Sequence, residues 1–409
     1  TERYLSSSGF PSTMGTVNAA RAEVRGVALQ EWRRHMAADR TVGIKYSSKA
    51  ASMSNYWKNA IGMNQALTTL EVVKEKEQLE ARINAWIAQE PARQAKYGGV
   101  TDRLKQAYAD AYADLRALRM LREFRIDCSP ILRSLKALPR WEGDRRNKGL
   151  EDIAKLLKDY DLATDRDAVA AQLAYLQRSL APEYVSTIKE DSASVRRLFD
   201  EVPLMGADGR MTESMMAFND SVQHATLRLS RRLSPIYDSI DRDEKLLTQA
   251  LLEMDFERPH YSDANMTMRV SFGTVQPYDN AEGTHYDCFT YPASLLEKAN
   301  NGNTDYDLQP ELVTLLKAGK WGRYADRRGR LPLCFLTTND ITGGNSGSPM
   351  FNGRGELLGL AFDGNWDALS SDVKFNTQMT RCIGVDIRYV MFLIDQWGRA
   401  DRLVKEVLR

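Results

Sequence analysis

Apolar residues recur at three- and four-residue steps through most of residues 15–257, which predicts a long helical region. The clearest stripe consists of Leu67, Leu70, Val73, Leu79, Ile83, Trp86 and Ile87. We expect it to end at Pro91, because proline cannot donate the backbone hydrogen bond that a helix interior needs. A second stripe from Leu104 to Leu118 follows Thr101, which we expect to cap that helix. Further helices are predicted at 15–40, 150–180 and 218–257.

Beyond residue 258 the pattern changes to short alternating apolar and polar runs, which are typical of β-strands. Strands are predicted at 266–272, 331–338, 350–351 and 356–362. Residues 293–318 should form a short helical excursion, and a helix from about Ile387 should close the chain. The pattern therefore predicts an α+β fold with an all-α domain at 1–258 and a β domain at 259–409.

Composition narrows the function classes only a little. The 409 residues carry a formal net charge of +1, which gives no electrostatic basis for binding nucleic acid or an anionic membrane. No apolar run reaches the length of a membrane span. The chain begins at Thr1 without a basic and then apolar leader, so we expect it to be processed, excised or incomplete at its front.

Residues 343–349 read Gly-Gly-Asn-Ser-Gly-Ser-Pro, a segment that chymotrypsin-like serine proteases place at their nucleophile. The glycines allow a sharp turn that exposes the Ser346 hydroxyl and directs the amides of Gly344 and Ser346 toward one point. Those amides would form an oxyanion hole. The alternative is a glycine-rich turn that only connects two strands, but the strand before it and the hairpin after it favour the nucleophile.

A serine nucleophile needs a general base and a carboxylate that orients this base. His35 and His224 lie in charged helical surroundings and are expected to be solvated or structural, while His260 lies at the domain junction. His285 is the candidate base within the β region. In the chymotrypsin order, however, the histidine and the aspartate precede the serine, so we expect both upstream of this chain.

The cysteines are Cys128, Cys288, Cys334 and Cys382. They form no Cys-x-x-Cys pair and lie beside no histidine at metal-ligand spacing, so we expect thiols with at most one or two disulfides. A cysteine enzyme that uses Cys334 or Cys288 with His285 is a weak alternative. No sharp elbow or helix start precedes either cysteine to activate its thiol.

Motifs along most of the chain resemble the bacterial serine dipeptidyl peptidases of types 7 and 11. The matching segments are 1–5, 54–59, 268–274, 324–326, 337–339, 342–349, 362–364 and 386–390. The block at 342–349 is the strongest of them, whereas residues 120–150 show little of the family pattern. This combination is far more specific than a lone serine motif.

The resemblance implies a chymotrypsin-like double β-barrel with a large helical domain inserted between the barrels as a cap. On this basis residues 1–258 form the helical cap, and residues 259–409 form the second barrel with its closing helix. The first barrel, with the catalytic histidine and aspartate, is then expected in a segment upstream of Thr1 or on an associated chain.

The resemblance also assigns roles to residues. Ser346 matches the nucleophile and the Gly344 amide matches the oxyanion donor. Asn345 stands where many chymotrypsin-type enzymes carry an aspartate that pairs with a newly cut N-terminus, so activation of that kind is not expected.

The substrate-binding residues that the resemblance implies lie in both predicted domains. Asp363 matches the residue that binds the free α-amino group of the substrate, and Asn55 assists it from the helical domain. Gly364, which follows Phe362 and Asp363, matches the position that sets the first specificity pocket. Arginine there accompanies acidic substrates, whereas glycine leaves room for hydrophobic or aromatic ones, so the sequence is more similar to type 7.

The predicted function is a serine exopeptidase that releases dipeptides from free peptide N-termini and prefers a hydrophobic or aromatic second residue. The resemblance further implies oligopeptide substrates, no cofactor or metal, a homodimer, and a periplasmic or cell-envelope location. The alternative is a catalytically incomplete peptide-binding fragment or pseudo-enzyme. In that case Asp363 and Asn55 would hold peptide N-termini without cleavage.

Overall fold

The computed structural model describes residues 5–137, 158–201, 212–257, 270–299, 306–371 and 373–408, with residues 148, 151, 154, 155 and 268. The chain separates into two compact units, of which the helical unit is Tyr4–Pro259 and the β unit contains His260–Arg409. The domain boundary predicted at residue 258 falls among residues outside the described ranges, as does His260, and it stays a prediction.

The helical unit is built from α-helices and two short π-helical turns. Its described helices are α1 (Gly9–Ser12), α2 (Ala19–Ala38), α3 (Arg40–Thr69), α4 (Val72–Ala88), α5 (Pro91–Tyr97), α6 (Val100–Arg122), α7 (Pro130–Ala137), α8 (Leu162–Ser179), α9 (Pro182–Val185), α10 (Ser192–Asp200) and α11 (Glu213–Met254). The π-helical turns are Thr13–Asn18 and Glu123–Cys128.

Several helices begin or end at other residues than predicted, because the backbone conformation of single residues sets these boundaries. The stripe from Leu67 to Ile87 is divided between α3 and α4, because Glu71 adopts a left-handed φ of 48° that a helix cannot contain. Pro91 also begins a new helix, because it occupies the first position of α5. A helix forms no internal hydrogen bond from the N–H at that position, so proline is tolerated there. The cap predicted at Thr101 is wrong: α6 begins at Val100, after Gly99 at φ 70°.

One hydrophobic cluster holds the longest helices of this unit together. Val24 of α2, Tyr46 of α3, Leu118 of α6, Leu173 of α8 and Leu229 of α11 are all buried in it. Their spacing on each helix places one apolar face toward the shared core, as the sequence periodicity predicts. The helical region is therefore a packed domain core, and its Leu and Tyr stripes are packing faces.

Asp165 is a buried carboxyl group at the start of α8. Its Oδ2 accepts hydrogen bonds from Ser129 Oγ at 2.9 Å, Tyr160 Oη at 3.2 Å and the backbone N–H of Ile131 at 3.3 Å. Its Oδ1 is buried and has no hydrogen-bond partner among the described residues. Burial raises the pKa of Asp165 to about 7, although the three hydrogen bonds act to lower it.

The stability of the folded protein is therefore expected to fall as pH rises from about 4 to about 7. Because the pKa of Asp165 is raised to about 7 in the folded state, that state keeps a proton that the unfolded chain releases above about pH 3.9. Asp165→Asn removes this titration and should flatten the profile. In the wild type, the free energy of unfolding should fall by at most about 4 kcal/mol between these pH values. This limit follows because each unit of difference between the folded and unfolded pKa contributes about 1.36 kcal/mol.

Urea denaturation of both proteins at pH 4.5, 5.5 and 7 measures the effect. Thr164→Ser, one residue earlier on α8, is the matched control, because Thr164 Oγ1 bonds Asp161 and not Asp165. Equal pH slopes in the wild type and Asp165→Asn would mean that Asp165 ionises normally in the folded state.

The β unit contains a five-stranded antiparallel sheet and a two-stranded hairpin. Its described strands are β1 (Tyr278–Asp279), β2 (His285–Tyr286), β3 (Phe289–Thr290), β4 (Cys334–Thr337), β5 (Pro349–Phe351), β6 (Leu357–Gly364) and β7 (Cys382–Asp386). Its described α-helices are α12 (Pro292–Ala299), α13 (Pro310–Ala318), α14 (Ile387–Phe392) and α15 (Asp401–Val407). The large sheet has the order β3-β4-β7-β6-β5. The predicted strand at 331–338 and the predicted hairpin at 350–362 are present as β4 and as β5–β6.

Two predicted elements of the β unit differ from the structure. Of the strand predicted at 266–272, the described residues 268 and 270–272 are exposed and lie in no strand. Pairing with the end of β4 begins only at Val275, which bridges Thr337. The single closing helix is wrong as well, because the chain leaves the helix at Gly398 and Arg399, where φ is 48°, before α15 begins.

None of the four cysteines, all of which the structure describes, forms a disulfide.

Within the described residues, no helix combines the length and the apolar character that crossing a bilayer requires.

Candidate active site

The predicted nucleophile lies on an exposed loop between β4 and β5. Gly344 has φ 109° and Gly347 has φ 84°, conformations that residues with a Cβ rarely adopt. These two glycines flank Ser346, which is exposed at the tip of the loop. The turn that the sequence predicts is therefore present, and the serine side chain faces solvent.

The side chain of Asn345 closes this loop. Its Oδ1 accepts a hydrogen bond from the backbone N–H of Thr342 at 3.0 Å, and its own N–H donates to the Thr342 carbonyl at 3.2 Å. Its carbonyl accepts from the Ser348 N–H at 2.9 Å. Asn345 thus stabilises the loop through local hydrogen bonds, as asparagine does in turns, and needs no ion pair.

The backbone amides of the loop fall into two groups. The amides of Asn345, Gly347 and Ser348 donate to carbonyls, that of Gly347 to Ala361 at 2.7 Å. The amides of Gly344 and Ser346 have no hydrogen-bond partner within the described ranges. A donor pair left unpaired beside a serine hydroxyl is what stabilisation of an oxyanion requires.

The strand register brings the last residues of β6 to the same end of the sheet as the start of this loop. Cys382 on β7 pairs with Thr337, the last residue of β4, and with Gly364, the last residue of β6. Neighbouring strands lie about 4.8 Å apart, so the ends of β4 and β6 are separated by about two strand spacings. The loop that carries Ser346 therefore begins at the end of the sheet where Asp363 and Gly364 lie.

Asp363, Gly364 and Phe362 end a strand whose earlier part is paired on both sides. An extended substrate cannot pair with the segment 359–360, because β5 and β7 already pair with it on its two sides. This pairing extends to Ala361, whose N–H donates to Ser348 at 2.9 Å and whose carbonyl accepts from the Gly347 amide at 2.7 Å. Only the segment 362–364 retains an edge on the β5 side that an extended peptide can join.

A register shift between Ala361 and Asp363 places Phe362 in a bulge, where 60% of the residue is exposed. The Asp363 side chain is also exposed, and its Oδ1 accepts from the Gly364 N–H at 2.8 Å. A Cβ at Gly364 would lie 3.0 Å from the Ala368 Cβ. The strand end is therefore closely packed against Ala368 at this position, and a larger residue than glycine would crowd it.

Asn55 lies on α3 in the helical unit and is exposed. It thus belongs to a different compact unit from Asp363, and its assistance in substrate binding stays a prediction.

Within the described residues, no histidine bonds to Ser346. His285 Nδ1 lies 2.7 Å from Asp279 Oδ1 on the hairpin of β1 and β2, and both side chains are exposed. His224 is exposed on α11. The imidazole of His285 is therefore engaged by Asp279, and it forms no hydrogen bond with the nucleophile.

His35 belongs to a structural ion-pair cluster. Its Nε2 lies 2.9 Å from Asp167 Oδ2, which also accepts from Arg34 at 2.8 Å. Burial tends to raise the pKa of Asp167, but hydrogen bonds from His35, Arg34 and Arg166 outweigh it and lower this pKa to about 2. Glu31, His35 and Asp167 could offer metal-ligand atoms, yet the guanidinium groups around Asp167 oppose a divalent cation.

The thiols are poor nucleophiles in this structure. Burial raises the pKa of Cys334 and that of Cys288, which disfavours the reactive thiolate. The alternative of a cysteine enzyme thus has no support from the surroundings of either residue.

Comparisons with known proteins agree with these observations. Dipeptidyl-peptidase 7 of Porphyromonas endodontalis is 35% identical over 434 residues, covering 100% of this chain and 53% of that protein. Dipeptidyl-peptidase 7 of Porphyromonas gingivalis is 34% identical over 439 residues, covering 100% of this chain and 61% of that protein. The Asp/Glu-specific dipeptidyl-peptidase of Capnocytophaga gingivalis is 29% identical over 440 residues, with the same coverages of 100% and 61%.

A solved structure shares the fold. The crystal structure of Porphyromonas endodontalis DPP11 in complex with the dipeptide Arg-Glu matches with a TM-score of 0.85 and 25% identity, covering 100% of this chain and 63% of that chain. This match confirms the predicted α+β architecture of a large helical part followed by a partial β domain. The chain spans about 53% to 61% of the length of these curated relatives.

The resemblance inferred from the motifs is confirmed by the family comparison. The model of the family described as Peptidase S46 matches residues 1–408, which is almost the entire sequence. The chain therefore belongs to the peptidase S46 family.

Proposed function

We propose that this chain forms the serine-bearing part of a dipeptidyl peptidase that releases dipeptides from free peptide N-termini. The observation that carries the proposal is the exposed Ser346 on a glycine turn, next to unpartnered amides at Gly344 and Ser346. Membership of the peptidase S46 family supports it, since the relatives are named dipeptidyl-peptidases. The chemistry is that of a chymotrypsin-like serine protease.

In the proposed reaction, Ser346 Oγ attacks the carbonyl carbon of the second substrate residue while its proton passes to a general base. The amides of Gly344 and Ser346 stabilise the negative oxygen of the tetrahedral intermediate. The peptide bond then breaks, and the base returns the proton to the leaving amine. Water, deprotonated by the same base, releases the dipeptide from the acyl-enzyme.

The general base and its carboxylate are proposed to come from residues outside the chain, in the same polypeptide or on an associated chain. The absence of a Ser346–histidine bond among the described residues supports this assignment. The relatives are longer than the segment that this chain matches, which is also compatible with it.

Asp363 is proposed to bind the α-ammonium group of the substrate. The end of β6 retains a free edge at 362–364, so a short extended peptide paired there would place its N-terminus near this carboxylate. An exposed ion pair contributes only about 0–1 kcal/mol, whereas one that substrate binding desolvates discriminates far more strongly. Asn55, exposed on α3, is proposed to accept a further hydrogen bond from the same group through its Oδ1.

Gly364 is proposed to leave the first specificity pocket open for a hydrophobic or aromatic second residue, with Phe362 beside it. The absence of a side chain at Gly364, which could otherwise enter such a pocket, supports this proposal. Relatives named dipeptidyl-peptidase 7 are 30–35% identical to this chain and those named Asp/Glu-specific are 26–30% identical, which is compatible with the same preference.

Hydrolysis of fluorogenic dipeptides by the natural full-length protein tests the function. We expect cleavage of a substrate with a free amine and a hydrophobic second residue, and at least about 10²-fold slower cleavage of its N-acetylated twin. A substrate with aspartate as the second residue should also be cleaved more slowly. Equal rates for the free and acetylated substrates would indicate an endopeptidase and contradict the proposal.

The second candidate is a peptide-binding protein without catalysis. The lack of a base bonded to Ser346 in the described part of the chain favours it. Binding of unblocked peptides without any hydrolysis by the full-length protein would establish this alternative in place of the enzyme.

A homodimer and a periplasmic or cell-envelope location complete the proposal, and both rest on the resemblance to the family. Sedimentation equilibrium of the full-length protein should give twice the monomer mass. Fractionation of the source cells should place it outside the cytoplasm. A monomer, or a cytoplasmic protein, would contradict the corresponding statement.

A further inference from the structure

A second feature, which the proposed function does not use, lies wholly within the helical unit. A pocket of about 660 Å³ opens among α2, α3, α6 and the start of α7, and we call it the arginine pocket. Its basic lining residues are Arg21, Arg25, Lys49, Arg119 and Arg133. No aspartate or glutamate lines it among the described residues. Its volume is in the range of small-molecule sites.

Among the described residues, the arginines of this pocket share one buried carboxylate. Glu123 lies fully buried behind it and accepts from Arg25 Nε at 2.6 Å and Arg21 Nε at 3.3 Å, as well as from Arg119. Glu123 is thus shared by three guanidinium groups in the described part of the chain. Arg133 and Lys49 add further positive charge, and Lys49 lies near the charge of Asp159. Burial lowers the pKa of Arg21, and the nearby charge of Arg119 lowers it further, as expected for crowded cations.

The guanidinium groups are held in place before any ligand binds. The carboxylate of Glu123 fixes them on one side, and the ring of Tyr56 lies 4.8 Å from the Arg25 guanidinium carbon and 5.8 Å from that of Arg21. Arg119 Nε is buried without a hydrogen-bond partner among the described residues, and so is Nε1 of Trp32, which lines the same pocket. Buried donors without acceptors are uncommon, because each one is unfavourable.

We propose that the arginine pocket binds an oxyanion, namely the carboxylate or phosphate group of a small ligand. Arginine presents planar pairs of N–H donors that match both groups, and the pocket holds several arginines at fixed positions. An oxyanion there would relieve the repulsion among these cations and supply acceptors to them. The proposal does not depend on Ser346 or on peptidase activity.

Calorimetric titration of the full-length Ser346→Ala protein at constant ionic strength tests this site. Sodium phosphate is the probe in one arm and glutarate in the other, with sodium chloride as the reference salt. We expect saturable binding of at least one probe, and the tighter one identifies the chemical group that the pocket prefers. Failure of both probes to bind above the chloride reference would overturn the proposal.

Variants assign the binding to the pocket. Arg133 is exposed, so Arg133→Gln should leave folding intact and weaken binding about tenfold, the effect of losing one charged hydrogen bond. Arg82→Gln, on the exposed surface of α4 outside the pocket, is the matched control and should bind like the parent. Equal affinity of both variants would show that the anion binds elsewhere.

A further variant tests the site without removing an arginine. Ser52 lies on the exposed wall of the pocket, so Ser52→Asp would introduce a carboxylate among the arginines. We expect this variant to unfold at a higher temperature than the parent and to bind the anion at least about tenfold more weakly, because its own carboxylate competes. Unchanged binding and an unchanged melting temperature would contradict the site.

Discussion

Ser346→Ala in the full-length protein is expected to lower kcat for dipeptide release by at least about 10³-fold while leaving KM nearly unchanged. The alanine removes the only oxygen that could form the acyl-enzyme in the proposed mechanism. It leaves the turn itself intact, because the loop is held by Asn345 and by the Gly347 amide. Steady-state hydrolysis of a free-amine dipeptide substrate measures both constants.

Ser348→Ala is the matched control, since Ser348 lies two residues away on the same loop and its hydrogen bonds with other described residues are made by its backbone. Its kcat should stay close to that of the wild type. A burst of one product equivalent in the wild type, lost in Ser346→Ala, would show the acyl-enzyme directly. If Ser346→Ala retained normal turnover, the nucleophile would have to be another residue, and the proposed mechanism would fail.

The loop around Ser346 was predictable because its conformation depends on local chemistry. Gly344 and Gly347 stand at positions with positive φ, and glycine is the residue that tolerates them best. The alternation of apolar residues before and after the loop likewise predicts β4 and the hairpin of β5 and β6. Local sequence was therefore sufficient for the turn and for its flanking strands.

Features that depend on pairing between distant segments were not predictable. The bulge at Phe362 arises from the register of β6 against β7, which no local pattern specifies. It decides which part of β6 keeps a free edge. The division at Glu71 is similar, because an ordinary helix-forming residue there adopts a left-handed conformation that only the packing of α3 and α4 can impose.

The arginine pocket is a further feature that the sequence alone did not predict. Arg21, Arg25, Arg119 and Arg133 are spread over more than a hundred residues of an almost neutral chain. Net charge therefore gives no sign of their association, and each alone resembles an exposed helical residue. Only the packing of α2 against α6 and α7, around the buried Glu123, brings them together.

Asp363→Asn should have the second large effect and a different signature. The amide keeps the shape of the side chain and can still accept the Gly364 hydrogen bond, but it carries no charge for an α-ammonium group. We expect kcat/KM for a free-amine dipeptide substrate to fall about 10²-fold, the order of effect for removing one partner of a desolvated charge pair. The rate for the N-acetylated twin should change little.

The ratio of the two rates is the decisive quantity, because a general loss of structure would lower both. Asp367→Asn is the control for charge near the end of β6, since Asp367 lies just beyond Gly364 and accepts from Asn365 Nδ2 at 3.5 Å. It should preserve the wild-type ratio. If Asp363→Asn kept the wild-type preference for the free amine, recognition of the N-terminus would reside elsewhere, with Asn55 on the helical unit as the next residue to change.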